Sequence, residues 1–205
     1  MIAIIDYGVG NLFSLQSSLA AIGAETVVTG DPAVIRTAEK LILPGVGAFG
    51  DAAALLRQND LDKLVCQEAA GGKPLLGICL GMQLLFDYGL EYGRHEGLGL
   101  IHGSIQPIAD YIPAGLKIPH IGWNALRFPV RKPVSPLFKH VKEGDCVYFV
   151  HSFCGTECEE SVIASAEYGA MLTAAVGTGQ IYGVQFHPEK SGATGLRILQ
   201  AFCEL

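Results

Sequence analysis

Of the six cysteines in the chain, one is set apart by its neighbours: Gly77-Ile78-Cys79-Leu80-Gly81 closes an apolar run that begins at Leu75. A thiol between two glycines, where a strand gives way to a helix, has the layout of a nucleophile elbow. Small neighbours permit a sharp turn that presents the side chain and leaves room for a substrate, and the helix N-terminus beyond favours the thiolate. The same stretch suits a small buried side chain equally well, so a reactive Cys79 requires a base elsewhere. Among six histidines, His187 stands in Gln185-Phe186-His187-Pro188-Glu189 at the end of another apolar run. Residues i and i+2 of an extended segment share a face, and the proline bars His187 from the helical region, so His187 and Glu189 are expected to point the same way. A carboxylate beside an imidazole fixes its tautomer and raises its basicity. Alone, this His-Pro-Glu reads as a surface turn; beside an elbow cysteine it supplies a base and its orienting acid.

Other stretches could join that chemistry. Pro44-Gly45-Val46-Gly47-Ala48-Phe49-Gly50 contains G-x-G-x-x-G, which raises a dinucleotide site. However, it follows the third expected strand and not the first, and the nearest acidic residue at the fingerprint's spacing, Glu68, falls within a helical pattern. The better use is as a source of backbone N–H groups that complete an oxyanion hole with the N–H of Leu80. Gln83 lies one helical turn beyond Cys79, on the same face, where its amide can hold a substrate. Tyr148-Phe149-Val150-His151-Ser152-Phe153 carries a strand into a polar pair, and His151, with no carboxylate close in sequence, reads as a satisfied strand-end histidine. His151, Cys154 and Cys158 lack the fourth ligand of a structural zinc site, so neither a metal nor a cofactor is expected.

These residues need a frame that brings distant segments together. Residues 2–5 read as a strand, and Asn11 caps a helix carrying Leu12, Leu15, Leu19 and Ile22 at helical spacing, closed by Gly23. Strands near 24–28, 40–43 and 74–78 follow, with helices from Asp51 and over 61–70. Such alternation means a parallel sheet with helices on both faces. From about residue 100 the pattern changes to short runs rich in β-branched and aromatic residues, at 146–150, 162–166, 171–176 and 180–186, some of them antiparallel. Residues 107–136 hold most of the prolines and read as loop and edge strand. A last helix spans 192–203. The expectation is one α/β domain over residues 1–205, flavodoxin-like and three-layered, with a central mixed, mostly parallel sheet. In such a sheet the C-terminal ends of the strands line one edge, where Cys79 and His187 can meet.

Composition narrows the partners. The net charge is −6, with 14 Lys and Arg against 20 Asp and Glu and no basic cluster, which argues against nucleic acid and anionic membrane surfaces. No apolar run reaches the ~20 residues a bilayer needs, and Asp6 interrupts the apolar start too early for a signal peptide. A cytoplasmic protein is expected, and in that reducing compartment the cysteines are thiols.

Taken together, the elbow with Gln83 and the distant His187-x-Glu189 resemble the class I, triad-type glutamine amidotransferases. Within that class, Met1 to Leu12, Pro44 to Asp51, Pro119 to Asn124, Tyr148 to Ser152 and Gln185 to Ser191 look like the glutaminase subunits of imidazole glycerol phosphate synthase, an enzyme of histidine biosynthesis. The resemblance covers nearly the whole chain in order. It implies that L-glutamine is hydrolysed to glutamate and ammonia, with Cys79 attacking, His187 as base and Glu189 orienting it. It further implies an oxyanion hole from the N–H groups of Leu80 and Val46, and a glutamine pocket from Gly47, Gln83, His151 and Ser152. Phe153 departs from the family pattern, where tyrosine is frequent. The implied partner is a (β/α)8-barrel cyclase subunit, held in a heterodimer near Asn11, Trp123, Tyr148 and Lys190, and it receives the ammonia.

Overall fold

The apolar runs become the spine of a nine-stranded mixed sheet in the computed structural model, which describes residues 1–205. The strands are β1 (Ile2–Ile5), β2 (Thr26–Thr29), β3 (Lys40–Leu43), β4 (Leu75–Ile78), β5 (Phe86–Gly89), β6 (His95–Glu96), β7 (Ile101–Pro107), β8 (His120–Arg127), β9 (Cys146–His151), β10 (Phe153–Thr156), β11 (Val162–Glu167), β12 (Met171–Thr178) and β13 (Ile181–Val184). The large sheet runs β2-β1-β3-β4-β13-β12-β11-β8-β9; it is parallel from β2 to β13 and antiparallel beyond. A second sheet, β10-β7-β5-β6, stands apart from it.

In the parallel half, side chains divide between two faces with the period of two that a strand imposes. Ile2, Ile4, Ile42, Leu76 and Ile78 pack with Leu15 and Leu19 of α1 (Leu12–Ala21) and with Ile198, Leu199 and Phe202 of α6 (Gly192–Cys203). Ala3, Ile5, Leu41, Leu43 and Leu75 pack on the other side, against α2 (Pro32–Thr37), α3 (Phe49–Gln58) and α4 (Leu61–Ala70). Both faces are covered, which is why these strands read as unbroken apolar runs. Each fully buried Leu or Ile contributes about 1.5–3 kcal/mol, and these cores hold the strand ends rigid.

Several details differ from the sequence reading. Asn11 occupies the N-cap position of α1, but its side chain makes no capping hydrogen bond. Helix α3 begins at Phe49 and not Asp51, because the Glu91 carboxylate accepts from the Phe49 N–H at 2.7 Å and caps the helix from a distant loop. Helix α2 was not anticipated, although Asp31 caps it through the Ala33 N–H and Pro32 opens it. Strand β8 lies between β11 and β9, so the proline-rich region supplies an interior strand and β9 forms the edge. The smaller sheet was also unforeseen, since Gly-rich residues 86–107 carry no clear alternation.

The consequence for function lies in three neighbours. Strands β3, β4 and β13 are adjacent and parallel, so their C-terminal ends release Pro44, Cys79 and Gln185 to His187 side by side.

Candidate active site

Cys79 is the hinge between β4 and the short helix α5 (Leu80–Leu84), at φ 55° and ψ −110°. A non-glycine residue rarely adopts a positive φ, and one that does is over-determined by its surroundings. Here its N–H donates to the Val184 carbonyl at 2.8 Å and its carbonyl accepts from Gln83 at 3.1 Å. The flanking glycines permit this by close packing, and not by making room for a substrate. A Cβ on Gly77 would stand 2.7 Å from the Gly81 carbonyl oxygen, and one on Gly81 would stand 1.8 Å from the Leu43 carbonyl oxygen. Both are spent on pressing α5 against β3 and β4.

His187 and Glu189 do face each other. The His187 Nδ1 lies 2.8 Å from Glu189 Oε1, and the two side chains are only 4% and 3% exposed. The geometry is that of a 3-10 turn over Pro188–Lys190 following an extended His187, not of a continuing strand. Ser191 clamps the turn by donating to the His187 carbonyl at 2.6 Å and accepting from the Tyr148 N–H at 2.9 Å. Burial works against a charge on His187, but its interactions with the Cys79 sulfur and the Glu189 carboxylate together outweigh it and push the ring up to about 9. The second oxygen of Glu189 has no hydrogen-bond partner.

A cavity of about 370 Å³ opens on these groups. Cys79, Leu80, Gln83, Val46, Gly47, His151, Ser152, His187 and Lys190 all line it, joined by Glu91 and Phe153. Neither the Val46 nor the Leu80 N–H has an intramolecular partner. The Pro44–Gly47 loop is held at its start by Tyr7, whose hydroxyl donates to the Pro44 carbonyl at 2.7 Å, and Gly47 has φ +101°. Two of the G-x-G-x-x-G glycines serve packing: Gly45 abuts Tyr7 and Gly81, and Gly50 abuts the His95 ring. Gln83 turns its amide inward, donating to Gln185 Oε1 at 3.0 Å and to the Phe153 carbonyl at 3.4 Å. His151 is a satisfied histidine: its Nδ1 donates to the Phe153 carbonyl at 2.8 Å, its Nε2 lies 2.9 Å from His120, and burial holds it down at about 4.

A larger cavity, about 570 Å³, lies elsewhere and is lined by Cys154, Cys158, Glu157 and Lys132 among others. The Lys132 ammonium there is committed to the carbonyls of Glu159, Glu160 and Val162, and no such set of nucleophile, base and acid lines that cavity. Cys154 and Cys158 line it while His151 lines the smaller one, so the three do not converge.

The profile described as glutamine amidotransferase class-I matches residues 3–204. The chain belongs to this family. Among its relatives, the imidazole glycerol phosphate synthase subunit HisH of Oceanobacillus iheyensis is 48% identical, covering 100% of this chain and 99% of that one. The HisH of Bacillus licheniformis is 50% identical, covering 98% and 95%. A solved glutamine amidotransferase superposes with a TM-score of 0.76 at 18% identity, covering 100% of this chain and 98% of that one. PurLQS from Thermotoga maritima gives 0.76 at 20%, covering 99% and 97%. At such identities the structures speak for the fold alone.

For a class-I amidotransferase, the sequence reading omitted five residues of this site. Gln185, whose Nε2 lies 3.8 Å from the Cys79 sulfur, was within reach: it stands two before His187 in the same motif. Tyr7, Glu91, His120 and Ser191 arrive from separate elements and leave no local signal. The residues matched to a subunit contact sit around the Pro188–Lys190 turn. Trp123 is 54% exposed, meets Tyr148 edge-on at 6.0 Å and reaches towards Gly192. Asn11 shares a void of about 10 Å³ with Glu189, and Lys190 is exposed.

Proposed function

We propose that this chain hydrolyses L-glutamine with Cys79, His187 and Glu189 as its triad, as the glutaminase subunit of an imidazole glycerol phosphate synthase. The observation that carries the reading is the convergence of a strained, buried thiol and a buried imidazole–carboxylate pair on one cavity lined by unpaired N–H groups. The Cys79 sulfur attacks the carboxamide carbon with its proton already held on His187, and Glu189 stabilises that imidazolium. The N–H groups of Leu80 and Val46 receive the charge on the carboxamide oxygen. Collapse breaks the C–N bond, His187 returns its proton to the leaving ammonia, and a thioester remains. Water, deprotonated by His187, then releases glutamate and restores the thiol. The Glu91 carboxylate on the cavity wall suits the α-ammonium of glutamine.

Ammonia released into neutral water is protonated and lost as a nucleophile, so the reading includes a receiver: a (β/α)8-barrel cyclase in a heterodimer. It makes imidazole glycerol phosphate and an aminoimidazole carboxamide ribotide. An exposed tryptophan beside Tyr148, Lys190 and an Asn11 whose side chain makes no capping hydrogen bond supports a docking surface there, since aromatic residues anchor protein interfaces. A change in the Pro44–Gly47 loop on cyclase turnover would aim the Val46 N–H, glycine allowing the reorientation at low steric cost. The test is co-purification with a barrel cyclase and a glutaminase assay with and without the cyclase substrate. Stimulated glutamate release that Cys79→Ala abolishes is expected; full activity in Cys79→Ala would sink the triad, and no co-purification would sink the partnership.

A further inference from the structure

The wall of the cavity is tied to β8 by a run of hydrogen bonds that the triad does not use. In the register of β8 with β9, His120 stands opposite His151, and the two rings meet, His120 Nδ1 to His151 Nε2, at 2.9 Å. Both are buried, at 1% and 6% exposure. Beyond them, His120 Nε2 lies 2.7 Å from Asn124 Oδ1, and the Asn124 amide nitrogen donates to the Glu167 carbonyl at 2.8 Å. On the other side His151 Nδ1 meets the Phe153 carbonyl, which also accepts from Gln83, and Gln83 in turn orients Gln185 towards the Cys79 sulfur.

The protons along this run can be counted. The Phe153 carbonyl accepts only, so His151 Nδ1 carries hydrogen. Asn124 cannot be flipped without setting its oxygen against the Glu167 carbonyl, so His120 Nε2 carries hydrogen too. The contact between the rings needs a third. Two neutral imidazoles hold two ring protons, so the fully bonded run carries one in excess and one positive charge. With only two protons, one contact sets lone pair against lone pair and must open.

The excess proton belongs on His120. His151 is held down to about 4 by burial, and the nearby His187, whose charge opposes a second one, adds to this. Burial holds His120 below the usual imidazole range as well, but its hydrogen bond to the Asn124 oxygen works the other way, and the ring stacks on Tyr168 at 4.0 Å and on Phe149 at 5.0 Å, ring faces that favour a cation. The ionisable groups nearby are Tyr168 on that side and, on the cavity wall with His151, Cys79, His187, Glu91 and Lys190. No carboxylate is hydrogen-bonded to either ring.

We propose that His120 is a positioning residue of the glutaminase reaction. The singly protonated His120–His151 pair holds the Phe153 carbonyl, and through it the Gln83 and Gln185 amides, in place beside the Cys79 thiol. This rests on the glutaminase reading of the site. The proton is lost as pH rises through the titration of the pair; below that point the run is closed, and above it one contact opens and the amides slacken.

The experiment compares kcat/KM for glutamine in wild type and His120→Phe across pH, the phenyl ring keeping the stacking and removing both hydrogen bonds. The ratio of wild type to variant cancels the triad's own titration. It is expected to be roughly tenfold near pH ~6, the value of about one buried hydrogen bond, and to fall towards one at alkaline pH. A ratio that is one, or constant with pH, overturns the inference while an active wild type leaves the triad reading intact. A wild type without glutaminase activity removes both. Nitrogen-detected NMR of the histidine rings in the unaltered protein decides independently of folding of the variant: three ring protons across the pair at low pH and two at high pH support it, and two throughout overturn it.

Discussion

Replacing Cys79 by glycine should remove all glutaminase activity and yet leave the protein at least as stable as Cys79→Ala. Both variants lose the thiol, so their difference isolates the backbone. Cys79 sits at φ 55°, ψ −110°, a conformation open to glycine and strained by about 2 kcal/mol for a residue with a Cβ. Against that relief, glycine loses about 0.7 kcal/mol through the greater freedom of its unfolded chain and about 0.8 kcal/mol of buried methyl, Cys79 being 8% exposed. The balance favours glycine by about 0.5 kcal/mol, whereas at an ordinary buried site alanine would win by about 1.5 kcal/mol on the same terms. Urea denaturation with a common slope measures the difference directly. If Cys79→Ala proved the more stable by about 1 kcal/mol or more, the elbow would not be strained and the argument that function holds it there would fail.

Three further outcomes are expected. Glu189→Gln keeps an acceptor near His187 but removes the charge opposite the imidazolium, so kcat should fall about 10- to 100-fold; a raised KM with unchanged kcat would mean that Glu189 binds substrate instead. Gly45→Ala would place a Cβ 2.8 Å from the Tyr7 hydroxyl and 2.9 Å from the Gly81 nitrogen, whereas Gly47→Ala enters open space at φ +101°. The first should therefore cost about 2 kcal/mol of stability and the second about 1 kcal/mol, with equal losses in denaturation counting against the packing described. His187, raised to about 9, stabilises the fold fully below its ordinary ~6.5, and that contribution is lost as pH rises through 9. Cys79→Ala should lower the titration of the ring followed by NMR, and an unmoved value would show that Glu189 alone sustains it.

The parallel half of the fold was legible because β1, β3, β4 and β13 are buried on both faces and so spell continuous apolar runs, punctuated by glycines and helical spacing. The antiparallel half is legible in outline, but β8 reads as edge material: residues 107–136 hold most of the prolines, and nothing local says that β9 pairs outside it. The second sheet escaped because its strands are short and broken by glycine. At helix ends the sequence misled twice, at Asn11, where the expected side-chain cap is absent, and at Phe49, where the cap is the remote Glu91.

The chain's own order of residues determined which side chains could react: a thiol in a tight Gly-x-Cys-x-Gly turn and an imidazole two residues from a carboxylate, both local patterns that backbone sterics translate directly. Gln185 could have been added from the same motif. Tertiary structure alone decided the rest. The adjacency of β3, β4 and β13 brought loops from residues 44, 79 and 187 to one cavity, and the pairing of β8 with β9 set His120 against His151, 31 positions away. A hydrogen bond between residues so far apart leaves no periodicity in either segment, and slipping β8 by one residue against β9 would turn His120 to the face opposite His151.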